Sequence, residues 1–291
     1  MEQLLGTGAS GAVFAARDLN TQTPVALKLL RPELAEDVGL RARFRREAGV
    51  LQHLSHPAIV AVLGSGEAPL GPGGAPLPFL VMERLTGLTL RASLASGPSS
   101  PSEVLAWLLP VASALGAVHE QGVLHGDIKP DNVFLTASGP KLVDFGSAKV
   151  HGFPRLTATG ELAGTPHYMA PEVISGERTL DARADVYALG VTVFEALAGR
   201  TPFTTRHPGR LITEIMSGTL PSLAALRPEL AALEPVVARA MSRRAEERFE
   251  SADGFARSLL DATSTGSISP EKPSGPYLPG IAADTRRPRS P

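Results

Sequence analysis

The chain has 291 residues, 43% hydrophobic and 20% charged, an ordinary balance for a globular protein and enough length to bury a substantial core. Its formal net charge of −1 gives no global electrostatic reason to expect nucleic acid or an anionic membrane as partner. Cysteine is absent, which excludes disulfides, thiolate catalysis and cysteine metal sites.

Residues 1–30 alternate apolar positions with glycine-rich turns, which predicts a twisted antiparallel sheet. A helix is predicted over 38–54, where Phe44, Leu51 and Leu54 share a face, and two more strands over 58–66 and 78–85. Between those strands, EAPLGPGGAPLP reads as an exposed hairpin loop. Residues 1–85 therefore form a small sheet with one helix. Beyond Gly87 the pattern becomes helical. Ser100-Pro101-Ser102-Glu103 is a helix start, with Ser100 as N-cap, Pro101 in the first turn and Glu103 closing a capping box. Trp107, Val111, Ala114 and Val118 line one face of that helix, and Pro110 is expected to kink it. Short strands follow at 132–136 and 141–144, then helices near 170 and at 182–198, 208–217, 229–242 and 251–262. From 263 to 291 the chain is rich in Pro, Ser and Thr and buries too little apolar surface to offset its ordering entropy, so a disordered tail is expected. The first eight residues lack the features of a signal peptide. The most apolar stretch, 186–199, is too short for a bilayer and carries Glu195. A soluble, cytoplasmic chain without a membrane span is expected.

Three groups of residues carry chemistry. In Gly6-Thr7-Gly8-Ala9-Ser10-Gly11-Ala12-Val13 the glycines let a hairpin backbone approach phosphate oxygens, although an ordinary glycine turn reads the same way. A dinucleotide fold is disfavoured, because Val13-Phe14-Ala15-Ala16 continues as a strand rather than a helix. Val25-Ala26-Leu27-Lys28 places one of only five lysines on a strand. Glu47 lies on the apolar face of the 38–54 helix, between Phe44 and Leu51, where a carboxylate is costly unless paired. Lys28 is its natural partner, and the open alternatives are a Glu and a Lys that each reach solvent. Finally, His125-Gly126-Asp127-Ile128-Lys129-Pro130-Asp131-Asn132 is followed by Asp144-Phe145-Gly146. An acid, a lysine and an amide beside a second acid are the groups phosphoryl transfer needs: a proton acceptor, a cation for the phosphoryl and oxygens for a hard metal. The bland alternative is a turn rich in Asp and Asn.

GTGASGAV, VALK, Glu47 within FRREAGVLQHLSHPAIV, HGDIKPDN, DFG, GTPHYMAPE and DVYALG occur in this order over residues 4–260. With them the chain resembles the protein kinase superfamily, and within it the bacterial eukaryotic-like serine/threonine kinases. The resemblance implies an α+β, bilobal fold: a small antiparallel sheet lobe with one main helix (1–85) and a larger, mainly helical lobe (86–262). It implies transfer of the ATP γ-phosphoryl group to Ser/Thr hydroxyls of proteins, the chain itself included, with magnesium, or manganese in its place. Lys28 would bind the α/β-phosphates and pair with Glu47. Asp127 would orient and deprotonate the hydroxyl, Lys129 would support the γ-phosphoryl, and Asn132 and Asp144 would hold the metal. Leu5, Gly6, Gly8, Gly11, Val13 and Ala26 would cover the nucleotide, with Phe134 as floor, Met82 as gatekeeper and the backbone of Glu83 and Leu85 bonding adenine. Glu172 would pair with Arg248, and Asp185 would brace the catalytic-loop backbone. Lys129 and Thr165 resemble serine/threonine rather than tyrosine kinases and weigh against a small-molecule phosphotransferase. A homodimer through the small lobe is a further option that the resemblance brings.

Three positions depart from the family pattern. Gly126 stands where most members carry an arginine that meets an activation-segment phosphate, so phosphorylation of Thr157 or Thr159 is not expected to be required. Only five residues precede Gly6, which predicts a short first strand and a loose roof over adenine. Ala92 replaces an acid near the ribose, which predicts modest nucleotide affinity. The alternative function is a docking module of pseudokinase type, which Gly126 and the short start favour and the presence of Lys28, Asp127 and Asp144 disfavours. Serines and threonines beside prolines in the tail offer autophosphorylation sites or a tether, set against a plain solvated linker.

Overall fold

The structure, a computed structural model, describes residues 2–8, 11–36, 38–69, 76–145, 166–177 and 179–265, apart from the side chains of residues 33, 34, 39, 40, 43, 46 and 47. Strands β1 (Gln3–Thr7), β2 (Gly11–Arg17) and β3 (Pro24–Leu30) form a meander, followed by one helical turn, α1 (Pro32–Ala35), and the long helix α2 (Val38–His53). Strands β4 (Val62–Pro69) and β5 (Pro76–Glu83) complete an antiparallel sheet of order β1-β2-β3-β5-β4. Helix α2 packs on this sheet through Ala48 and Phe44.

The hairpin between β4 and β5 differs from the sequence expectation. Glu67, Ala68 and Pro69 pair with Pro78, Leu77 and Pro76, so both ends of the expected loop are strand, and residues 70–75 lie outside the described residues. Prolines are tolerated here because β4 is an edge strand and β3 reaches only as far as Phe79, leaving Pro76 and Pro78 with one neighbour each. Residues 58–61, expected to begin β4, lie outside that strand: Val60 donates to Leu142 O at 3.0 Å and Leu142 to Ala58 O at 2.8 Å.

Below the sheet, β6 (Gly87–Thr89) leads into α3 (Leu90–Leu94), capped by the Thr89 hydroxyl. Helix α4 (Pro101–Glu120) begins with the expected capping box: Ser100 Oγ accepts from Glu103 N–H, and the Glu103 carboxylate accepts from Ser100 N–H at 2.8 Å. The helix continues through Pro110. It has the length and hydropathy of a membrane span, yet its Trp107, Val111, Ala114 and Val118 face is buried in the core. Strand β7 (Val133–Thr136) pairs with β6 on one side and with β8 (Gly139–Leu142) on the other. The expected second strand ends two residues early, because the backbone at Asp144 turns to φ +61°.

Helices α5 (Pro171–Ile174), α6 (Ala182–Ala198), α7 (Pro208–Ser217), α8 (Leu223–Leu226), α9 (Glu234–Ala240) and α10 (Ala252–Thr265) complete the larger lobe. Helix α6 is buried from Ala184 to Leu197, which explains its apolar run: a helix surrounded by protein needs no polar face. The expected continuous helix over 229–242 is divided. Pro235 lacks an N–H and its ring would clash with a preceding carbonyl, so α9 starts at Glu234 with the proline in its first turn. Thr263, Ser264 and Thr265 continue α10 rather than beginning the tail, each hydroxyl bonding a carbonyl one turn back. Residues 266–291, with the rest of the tail reading, lie outside the described residues.

Candidate active site

The glycine motif forms the β1–β2 turn, where Gly8 N–H donates to Gly11 O at 2.8 Å and Arg31 donates to Gly8 O at 2.8 Å. Its glycines do different work. A side chain at Gly6 would meet nothing within 4 Å, and one at Gly8 only Gly11 O at 3.9 Å, so these positions leave space above the sheet. A Cβ at Gly11 would lie 2.0 Å from Leu29 O, so this glycine is required by strand contact. Ala9 and Ser10 lie outside the described residues.

Beneath this turn, Val13, Ala26, Met82 and Leu85 share one apolar cluster with Val60, Leu80 and Val143. This is a suitable wall for a flat aromatic base. Leu5 stands apart on β1 at 48% exposure, and Phe134 is half-buried on β7. The Glu83 N–H is taken by Ala61 O at 2.9 Å, so of its two backbone groups only the carbonyl is left for a base. The sequence reading missed Val143, whose only signal was its place before Asp144.

Two polar groups meet at the base of the cleft. Lys28, 6% exposed on β3, donates from Nζ to Asp144 Oδ1 at 2.9 Å across 116 residues of sequence. Glu47 lies on α2, but its side chain is outside the described residues, so the expected Lys28–Glu47 pair lies there too. In the catalytic loop Lys129 Nζ donates to Asp127 Oδ2 at 2.7 Å, and Asn132 Nδ2 donates to the same oxygen at 2.9 Å and to Asp127 O at 2.7 Å. Val143 N–H donates to Asn132 O at 3.0 Å and sets Asp144 beside the loop. Burial works against the Asp144 carboxylate, but Lys28, by charge and hydrogen bond, outweighs it and holds the group below its usual range, with help from Lys129. An αL backbone at a non-glycine residue stores strain, which proteins tend to place at functional sites.

The loop is held from below. Asp185, 1% exposed on α6, accepts from His125 N–H at 2.9 Å, Gly126 N–H at 2.8 Å and His119 Nε2 at 2.7 Å. The expected brace is present, and His119 is an addition that the sequence reading missed. The fully buried His125 ring links the two halves: Nδ1 accepts from Asp127 N–H at 3.3 Å, Nε2 donates to Val143 O at 3.1 Å, and the ring packs on Phe145 at 4.5 Å. Those partners require the neutral tautomer protonated on Nε2.

Arg248 binds Glu172 with both ends, at 2.6 and 2.7 Å, and donates its other protons to the carbonyls of Ser242, Arg183 and Arg243. Arg91 bridges Asp131 at 3.2 Å to Glu195 and Tyr168, a network that nothing in the sequence spacing announced. Ala92 N–H serves the Thr89 cap. Gly146 and Thr165 lie outside the described residues. Among the described residues no group of three His, Cys, Asp or Glu forms a ready metal cage. Asp144 and the Asn132 carbonyl oxygen are nonetheless hard oxygen donors of the kind magnesium takes, because Asn132 spends its NH2 on Asp127.

A family model described as the protein kinase domain matches residues 1–265. A probable serine/threonine-protein kinase of Corynebacterium efficiens is 39% identical over 264 residues, covering 88% of this chain and 40% of that protein. Serine/threonine-protein kinase PknB of Mycobacterium tuberculosis is 37% identical over 255 residues, covering 86% and 40%. The chain therefore spans about two fifths of the length of these relatives. Among solved structures, the PknI kinase domain of M. tuberculosis superimposes with a TM-score of 0.73 at 33% identity, covering 90% of this chain and 94% of that one. Sequence, fold and site geometry agree, and the chain belongs to the protein kinase domain family, among the bacterial serine/threonine kinases.

Proposed function

We propose that this chain is an active kinase that moves the γ-phosphoryl group of ATP to serine or threonine hydroxyls of proteins. The observation that carries the reading is the joined pair of contacts, Lys28 on Asp144 and Asn132 and Lys129 on Asp127, brought together from strands and loops far apart in sequence. Asp127 takes the proton of the acceptor hydroxyl as its oxygen bonds to phosphorus and ADP leaves. Lys129, hydrogen-bonded to Asp127, places a positive charge where the transferred group acquires negative charge. Lys28 keeps Asp144 ionised and lends its own charge to the phosphates. Magnesium, when bound by Asp144 and Asn132, would neutralise phosphate charge.

The test is transfer of labelled phosphate from ATP to a generic protein substrate, followed by phosphoamino-acid analysis. Labelled phosphoserine or phosphothreonine that disappears in Lys28→Ala supports the reading. Equal incorporation by wild type and Lys28→Ala, or label on tyrosine alone, contradicts it.

A further inference from the structure

Outside the phosphate-binding groups, one more lysine stands at the nucleotide cleft. Lys141 lies on β8 directly across from Phe134 on β7, so the two side chains share a face of that sheet. Its Nζ is 2.6 Å from Glu83 Oε1 and 3.3 Å from Ile59 O. Glu83 is the last residue of β5, where the chain leaves the upper sheet for the lower lobe. The same Glu83 oxygen accepts Ala61 N–H at 2.8 Å, and Glu83 N–H returns a bond to Ala61 O at 2.9 Å. The 58–61 segment is in turn bonded to Leu142 on β8. One ion pair thus fastens three segments: the end of the hinge strand, the stretch behind α2 and the strand that runs into Val143 and Asp144.

The side chains of this pair are 15% and 31% exposed, so water screens it less than an ordinary surface pair. Residues 84–86 have no regular structure, and among the described residues no backbone bond occupies Leu85 N–H. The angle at which this crossover presents the Glu83 carbonyl therefore depends on what holds its ends. We propose that Lys141 and Glu83 form a strut that sets the crossover, making Lys141 a positioning residue for the adenine base. The proposal rests on the kinase reading above, since it presumes a nucleotide under the hinge.

Lys141→Met keeps the stem beside Phe134 and removes the charge. It is expected to raise the KM for ATP, and the Kd for a non-hydrolysable ATP analogue, by about tenfold, the scale of one charge-assisted hydrogen bond. kcat should change less than about twofold, because the groups that move the phosphoryl are untouched. Glu83→Gln keeps an acceptor for Ala61 and should give a similar loss, with the double variant no worse than the poorer single one. Lys141→Arg, which can rebuild the pair, should restore most of the affinity at unchanged thermal stability. Analogue affinity unaltered in Lys141→Met, independent addition of the two losses, or failure of Lys141→Arg to rescue would each overturn the strut. A wild-type chain that binds no analogue would instead overturn the kinase reading itself. If Lys141→Met does not fold, Glu83→Gln read by analogue binding decides alone.

Discussion

At Gly126 the backbone sits at φ +73°, a conformation in which any side chain is strained, while its N–H is fixed on Asp185. An arginine there would bring a charge and a conformational cost together. Gly126→Ala is therefore expected to lose about 1–2 kcal/mol of stability, measured by urea unfolding, and a neutral result would show that the loop relaxes freely. With no cation at this position, a phosphate on the segment after Asp144 lacks the arginine that meets it in most family members. Thr157→Ala combined with Thr159→Ala should keep activity within about threefold, whereas a hundredfold loss would show that another cation has taken the arginine's place. Asp127, Lys129, Asn132 and Asp144 stand out in the sequence because together they supply an acid, a cation and oxygen donors, and the structure gathers them around one loop. The hidden residues were His119 and Val143: one looks like any helix-end histidine, the other like any strand valine, and only the tertiary contacts of Asp185 and the base wall give them meaning.

Elements were read best where a local rule fixes them. The capping box at Ser100 and Glu103, the Asp181 cap of α6 and the proline entry of α7 involve neighbours within a turn, and all three helices begin where the sequence places them. Elements set by partners far along the chain were read less well. Residues 58–61 were read as the start of a strand, but only the folded structure shows that Ala58 and Val60 bond Leu142 on β8 while Ala61 accepts from Glu83 on β5. The expected 229–242 helix took no account of Pro235, whose missing N–H confines it to the first turn of α9. The segment after Pro171 is anchored by Arg248, whose five donors all find acceptors beneath the site. Arg248→Leu leaves Glu172 buried without its counter-charge and should cost about 3–5 kcal/mol, seen as a large drop in melting temperature. A drop below about 1 kcal/mol would mean that Glu172 simply takes up a proton or turns to solvent.

Across the whole molecule, the change in pattern near Gly87 marked where a sheet-rich region gives way to a helical one, the resemblance supplied the bilobal arrangement, and acid sensitivity follows from the groups that fold buries. Desolvation pushes His125 below the usual 6.5 despite the pull of Asp185 and Asp127, and burial moves His56 and His167 the same way. Below that pH the unfolded chain takes up protons that the folded chain refuses, so stability falls on acidification. For Asp185 burial favours the neutral acid, but the His119 hydrogen bond and the Gly126 N–H outweigh it and hold the carboxyl below 3.8. Its contribution is complete above 3.8 and is lost as the pH falls through the lower folded value. Melting temperature should therefore be level near pH 7 to 8 and decline below about 6.5; a rise between pH 7 and 5 would contradict this. On the proposed function, Asp127 serves chemistry within a cleft that binds nucleotide without it. Autophosphorylation and ATP-analogue binding measured side by side for wild type and Asp127→Asn test it most directly. Phosphotransfer is expected to fall about a thousandfold or more with analogue affinity changed only a few-fold; phosphotransfer that persists in Asp127→Asn at the wild-type rate would contradict that role.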